Sequence, residues 1–284
     1  MNNYLRIYAT FLRNSLVRDM QFRSNFFIEC ISSMSWVFMN LGFYLIVFQY
    51  TNRIGEDWEK WDFFVFLATT LIINSLMQTF FMPGASNFSE LIRTGGLDFL
   101  MLKPIDVQFM VTLQRVNWAS MANSVVGIVL LVVSVGQLVT DPSRPFVLQL
   151  WMFLAYPFYV LCGLAILYSL MISLAATSIW LGRNQSLYNF WFYITNFSRY
   201  PMEIYYDPRT STPLRENIVG FSLWSFFLFV VPVLVVINVP ARVFSRPELH
   251  LLLASFALLA TVVSLIVSRL IFRRALAQYR SASS

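Results

Sequence analysis

Residues able to do chemistry are few in this chain, and they gather in one stretch. Ser89–Asp106 reads "SELIRTGGLDFLMLKPID" and places Glu90, Arg93, Asp98 and Lys103 around Gly95 and Gly96, with Pro104 behind them. Leu91, Ile92, Leu97, Leu100 and Leu102 supply an apolar face, while Arg93, Asp98 and Lys103 supply specific polar contacts. That pattern suits docking, and passing force from, a partner; it equally suits a loop that only joins two membrane spans. Locally, Ser89 is placed to cap a short helix with Glu90 favourable in its first turn. The two glycines break that helix, and "LDFLMLK" forms a second amphipathic piece stopped by Pro104.

Bond-breaking chemistry has no comparable cluster. The chain contains no G-x-x-x-x-G-K-[ST] phosphate loop, no G-x-S-x-G elbow and no H-E-x-x-H helix. Cys30 and Cys162 lie in separate apolar runs and His250 is the single histidine, so neither a disulfide framework nor a histidine metal cluster is expected. The chain is therefore not expected to hydrolyse ATP itself. Ion-coupled carriers keep ionisable relay groups within the bilayer, but these apolar runs hold little charge. Glu29 is the exception and is read as reaching the interface. Asn40, Asn74, Gln78 and Asn123 lie deeper and either bond between helices or line a pathway. Active transport by such a chain draws its energy from elsewhere.

These residues must be positioned by membrane helices. The 284 residues are 58% hydrophobic and 12% charged, against about 25% charged in soluble domains. Several apolar runs reach the roughly 20 residues that cross a bilayer core of about 30 Å. The expected fold is all-α, a single transmembrane domain over 1–284. A helix at 3–22 lies in the membrane interface, with Tyr4, Tyr8, Phe11, Leu12 and Leu16 as its apolar face. Spans are expected at 26–50, 63–82, 118–138, 146–181 and 249–272, with Pro157 and Gly163 as kink points in the long fourth run. The N-terminus does not read as a cleavable signal.

Arg6, Arg13, Arg18 and Arg23 precede the first span, and Arg269, Arg273, Arg274 and Arg280 end the last. Both tails are thus expected in the cytoplasm, and the net charge of +6 reflects orientation rather than nucleic-acid binding. Even parity then requires 186–239 to cross once, for six crossings in all. Either "LYNFWFYITNF" lies flat while 218–239 crosses, or the aromatic segment crosses and 218–239 dips in and returns as a broken element. Pro232 and Pro240 fit such a break, which is tolerated only where protein or a cavity shelters the backbone.

The order of motifs resembles the permease subunits of type-2 ABC exporters, in their six-span bacterial branch. An "R-x-G-x-L-D-x-x-L-x-x-P" element is matched by Arg93, Gly95 (with Gly96), Leu97, Asp98, Leu100 or Met101, and Pro104. "FSRYPMEIY" at 197–205 and "VPVLVVINVPAR" at 231–242 follow, with "DPRTSTPLREN" as an insertion between them. The resemblance implies a coupling helix at 89–104 docking on a separate ATPase, with Glu90, Gly96 and Lys103 also in contact. It implies re-entrant helices at an outer gate, with Arg199, Tyr200, Pro201, Asn238 and Pro240 there; with that placement Arg199 either reaches the outer headgroups or pairs with Glu203 if the backbone turns back. It further implies a second permease chain, identical or homologous, and a pathway walled by the first, second and fifth spans. Their Phe and Tyr content suits an amphiphilic or hydrophobic cargo. No cofactor is expected on this chain, with ATP and Mg on the partner, membrane lipids around it, and a bacterial inner-membrane location. The competing classes are a secondary transporter, disfavoured by the lack of intramembrane charge and of an internal repeat, and a membrane-embedded enzyme, which lacks an acid, base or nucleophile.

Overall fold

The computed structural model describes residues 2–54, 58–142, 147–181, 185–206, 218–246 and 251–280. The insertion at 207–217, His250 and parts of the "TDPSRP" and "GRNQS" breaks lie outside these. Helix α1 covers Asn2–Gln21 and α2 covers Arg23–Tyr50. A two-residue antiparallel ladder follows, β1 (Arg53–Ile54) with β2 (Trp58–Glu59). Then come α3 (Lys60–Phe80), α4 (Met82–Arg93), α5 (Gly96–Met101), α6 (Val107–Leu113), α7 (Met121–Thr140) and α8 (Leu150–Ala176). The short α9 (Ser178–Leu181) and α10 (Gln185–Asn196) lead into two 3-10 turns, Phe197–Arg199 and Met202–Ile204. Helix α11 (Ile218–Ser225) continues as a π-helical turn, Phe226–Val230, before α12 (Val233–Ser245) and α13 (Leu251–Ala277).

Five of these helical stretches are long and apolar enough to cross a bilayer: Arg23–Tyr50, Lys60–Arg93, Met121–Thr140, Leu150–Leu181 and Leu251–Ala277. This is an all-α polytopic membrane protein. The start of the helix before Gly95 differs from the expectation for a physical reason. Helix α4 begins at Met82 rather than at Ser89, because Pro83 sits in its first turn, where a proline loses no hydrogen bond. Ser89 is therefore interior to α4 and meets the Ser178 hydroxyl at 3.2 Å instead of capping. Pro157 lies inside α8, which runs from Leu150 to Ala176 as one helix.

Helix α3 is the central pillar, with 72% of its span buried, whereas only 6% of the α2 span is buried. It packs against α7, α8 and α12, and α8 packs in turn against α12 and α13. Gly163 permits that last layer. A Cβ there would meet the Val236 carbonyl oxygen at 2.6 Å, so α8 and α12 touch backbone to backbone.

The bundle has two ends. One carries the β ladder; the other carries α4, α5 and α6. The pair formed by Val219–Val230 and Val233–Ser245 bends by 84°. Pro232 has no N–H to continue the helix, and Val231 before it is pushed to φ −121 and ψ 86. Both halves return to the ladder end. Phe221 and Trp224 pack on Tyr206 with ring centres 5.2 and 5.8 Å apart, while Arg242 pairs with Glu203 and Arg246 lies over the Trp58 ring. Meanwhile α10 touches α4, and Glu203, just beyond it, bonds Trp58. The stretch from α10 through Glu203 thus runs from one end of the bundle to the other.

Candidate functional site

At the α5 end, α4 stops because Gly95 takes φ 70, a conformation that costs any other residue and that closes helices in this way. The turn aims α5 back under the bundle. Leu97 and Leu100 are buried there with Phe88, Met110, Ile172 and Phe272, joining the elbow to the ends of α8 and α13. The opposite side of the elbow faces outward: Phe99 is 71% exposed and Leu102 81%, with Met101, Lys103 and Pro104 also exposed. Glu90 and Arg93 form an exposed pair, Arg93 Nε donating to Glu90 Oε2 at 2.9 Å. Asp98 is half-buried in the first turn of α5. All nine residues assigned to this element from sequence are therefore contiguous in space, split into a buried apolar side and an exposed mixed side.

A polar network that the sequence did not reveal fixes the elbow to the rest of the chain. Asp106 caps α6 by accepting from the Phe109 N–H at 3.0 Å. Both terminal guanidinium nitrogens of Arg269, from α13, donate to the same carboxylate. Arg269 Nη1 also donates to Gln108 Oε1 at 2.6 Å, and Gln108 Nε2 donates to the Tyr168 hydroxyl of α8 at 2.8 Å. The Arg269 hydrogen bonds, aided by the backbone N–H groups of α6, hold the Asp106 carboxyl below its usual range.

Helix α1 clasps the segment that follows. Ser15 Oγ accepts from the Val116 N–H at 3.2 Å, Asp19 Oδ2 accepts from the Trp118 N–H at 3.2 Å, and Trp118 Nε1 donates to the Leu12 carbonyl at 3.3 Å. Its inward face is thus Tyr8, Phe11, Leu12, Ser15 and Asp19, while Leu16 is exposed with Leu5 and Val17. Backbone N–H groups on the facing segment draw in Ser15 and Asp19, and Tyr4 and Leu16 of the expected apolar face stay exposed.

Between α1–α2 and this segment lies an open cleft of about 910 Å³. Its walls are the first half of α2, the α3–α4 junction, residues 115–120 and Phe192 of α10. Glu29 lines it and accepts from Asn117 Nδ2 at 2.8 Å. Gln78 lines it too, whereas Asn40 bonds its own helix at the Trp36 carbonyl, 2.9 Å away. Asn74 is half-buried in α3, and the Asn123 side-chain oxygen is buried with no hydrogen-bond partner among the described residues.

At the ladder end, Glu203 bonds Arg242 and accepts from Trp58 Nε1 at 3.1 Å. Fully buried Asn238 accepts from the Met202 N–H at 3.1 Å, immediately after Pro201. Arg199 and Tyr200 are exposed beside Tyr44, and Pro240 is buried within α12. Of the two expectations for Arg199, the structure excludes the pairing with Glu203. Arg242 takes it because the bent pair delivers α12 against the Met202 turn, leaving Arg199 at the surface.

A family model described as ABC-2 family transporter protein matches residues 34–283 of the chain. No curated protein and no solved structure matches it.

Proposed function

The chain belongs to the ABC-2 family of transporter proteins, and from that premise we propose that it is the permease subunit of an ATP-driven exporter. A membrane transport permease of this kind is a transport subunit rather than a catalyst. In the proposed complex separate ATPase subunits bind ATP and Mg, and this chain holds no cofactor. The α5 end faces the cytoplasm, as the basic tails favour, and the ladder end faces outward. The membrane is the bacterial inner membrane.

The observation that carries this reading is the division of the elbow. Phe99 and Leu102 stand exposed at its tip, while Leu97 and Leu100 are locked to α8 and α13. An ATPase gripping the exposed side would move both spans as one body, which is how rigid-body switching transmits motion. A second permease chain would cover α2, most of whose span has no partner within this chain. The pathway would then run between the two chains, past α2, α3 and α10, and close outside at the Glu203–Arg242 cluster, beside Arg199, Tyr200, Pro201, Asn238 and Pro240.

Asp98→Arg tests the docking. Transport and substrate-stimulated ATPase activity should fall while membrane insertion stays intact. A structure of the complex with the elbow remote from the ATPase would overturn the reading.

A further inference from the structure

We propose that the cleft between α2 and residues 115–120 receives the headgroup of a zwitterionic amphiphile, its anionic group on Arg115 and its cationic group on Glu29. Its place in export rests on the permease reading; the binding itself does not.

The charges in the cleft divide into two sets. Arg18 and Asp19 are committed to structure: Arg18 pairs with Asp19 at 3.3 Å and donates to the Val116 carbonyl at 3.0 Å, while Asp19 also takes the Trp118 N–H. Their charges cancel and their geometry pins α1. Glu29 and Arg115 are the second set. Glu29 takes one neutral amide donor, from Asn117, on one carboxylate oxygen; a carboxylate can accept about four hydrogen bonds. Arg115 is exposed, lines the same cleft, and has no hydrogen bond or ion pair among the described residues. Its guanidinium offers five donors in a planar fork suited to a phosphate or carboxylate.

Location makes Glu29 informative. It stands seven residues into α2, a 28-residue helix long and apolar enough to cross a bilayer. An ionisable group on a span is costly unless it faces a partner or a polar cavity, and this one opens onto a cleft of about 910 Å³. Phe22, Phe26 and Phe192 line the same space. Phe22, at the α1–α2 joint, is 67% exposed, and Phe27 and Ile28 continue the apolar surface beside it. A headgroup between Glu29 and Arg115 would therefore have its chain leaving along the aromatic rim into hydrocarbon. A purely anionic amphiphile would face Glu29 unpaired, and a purely cationic one would face Arg115.

The test is direct binding to the chain in neutral nanodiscs. The probes are a fluorescent single-chain alkylphosphoethanolamine, the alkyl phosphate and alkylammonium of equal length, and free phosphoethanolamine. The wild type should prefer the zwitterion by about tenfold over each singly charged probe, the scale of one charge-assisted contact. Free phosphoethanolamine should bind weakest, which separates an amphiphile site from a simple phosphate site. Arg115→Gln should weaken the alkyl phosphate and the zwitterion but spare the alkylammonium; Glu29→Gln should do the reverse for the singly charged pair. Ser86→Trp, from the exposed rim on α4, should block all three amphiphiles while the melting temperature holds, guarding against a folding artefact. Equal binding of the three amphiphiles, or selectivity unchanged in both charge variants, overturns the site. Either result would leave ATPase docking untouched, so failure here is distinct from failure of the permease reading.

Discussion

Arg269, near the end of α13, grips Asp106 with both terminal guanidinium nitrogens, although 163 residues separate them. Asp106 is also the cap that starts α6. One carboxylate therefore joins the elbow to the last span, and Gln108 extends the link to Tyr168 on α8.

Acid should break this joint. The Asp106 carboxyl titrates below its ordinary range because Arg269 and the α6 N–H groups favour its charged form. Its stabilisation is thus complete above the unfolded value, about pH 3.9, and is lost as pH falls through the lower folded value. The side chain is about a third exposed, so solvent discounts the effect. Thermal melts should show steeper loss of stability below about pH 4 for the wild type than for Asp106→Asn. Asp106→Ala should cost about 1 kcal/mol at neutral pH through the lost cap.

The pair at the ladder end should be far more sensitive. Glu203 and Arg242 have side chains only 5% and 15% exposed, and removing one partner of a buried pair costs about 3–5 kcal/mol. Glu203→Gln and Arg242→Gln should each lower the melting temperature strongly, and combining them should cost much less than the sum. Additive losses would show that the two groups act independently.

Gly163→Ala should push α12 off α8. The added Cβ meets the Val236 carbonyl oxygen at 2.6 Å and the Val236 side chain at 3.1 Å, and overpacking of this kind costs about 1–3 kcal/mol. A Cβ added at Gly42 would meet nothing within 4 Å, so Gly42→Ala in the same assay should be near neutral.

Position 199 reports sidedness. Arg199 is exposed at the ladder end, so a cysteine there should react with a membrane-impermeant reagent in whole cells. Labelling only after permeabilisation would place the ladder end inside and reverse the assigned orientation.

How much of this was legible in the sequence follows from the range of each interaction. Apolar runs disclose spans because their signal lies within 20 or so residues. The elbow was legible for the same reason: Gly95, Gly96 and Pro104 punctuate it locally. Its true start at Met82 was hidden because Pro83 suits a first helical turn as well as a break. The polar joints left no local trace. Glu203 finds Arg242 across 39 residues and Trp58 across 145, and neither pairing has a spacing that a periodic pattern would expose. Asn238 could be assigned to the broken segment, but not its bond to the Met202 N–H, which depends on the 84° bend.

In the proposed complex the exposed tip of the elbow grips an ATPase, and affinity purification of the chain in mild detergent, from cells expressing its partners, checks that grip. A nucleotide-binding ATPase should co-purify in stoichiometric amount with the wild type. Phe99→Asp combined with Leu102→Asp should abolish this recovery without lowering the yield or the melting temperature of the permease. Absence of any ATPase from the wild-type preparation, or its undiminished recovery with the double variant, would show that the elbow does not dock an ATPase.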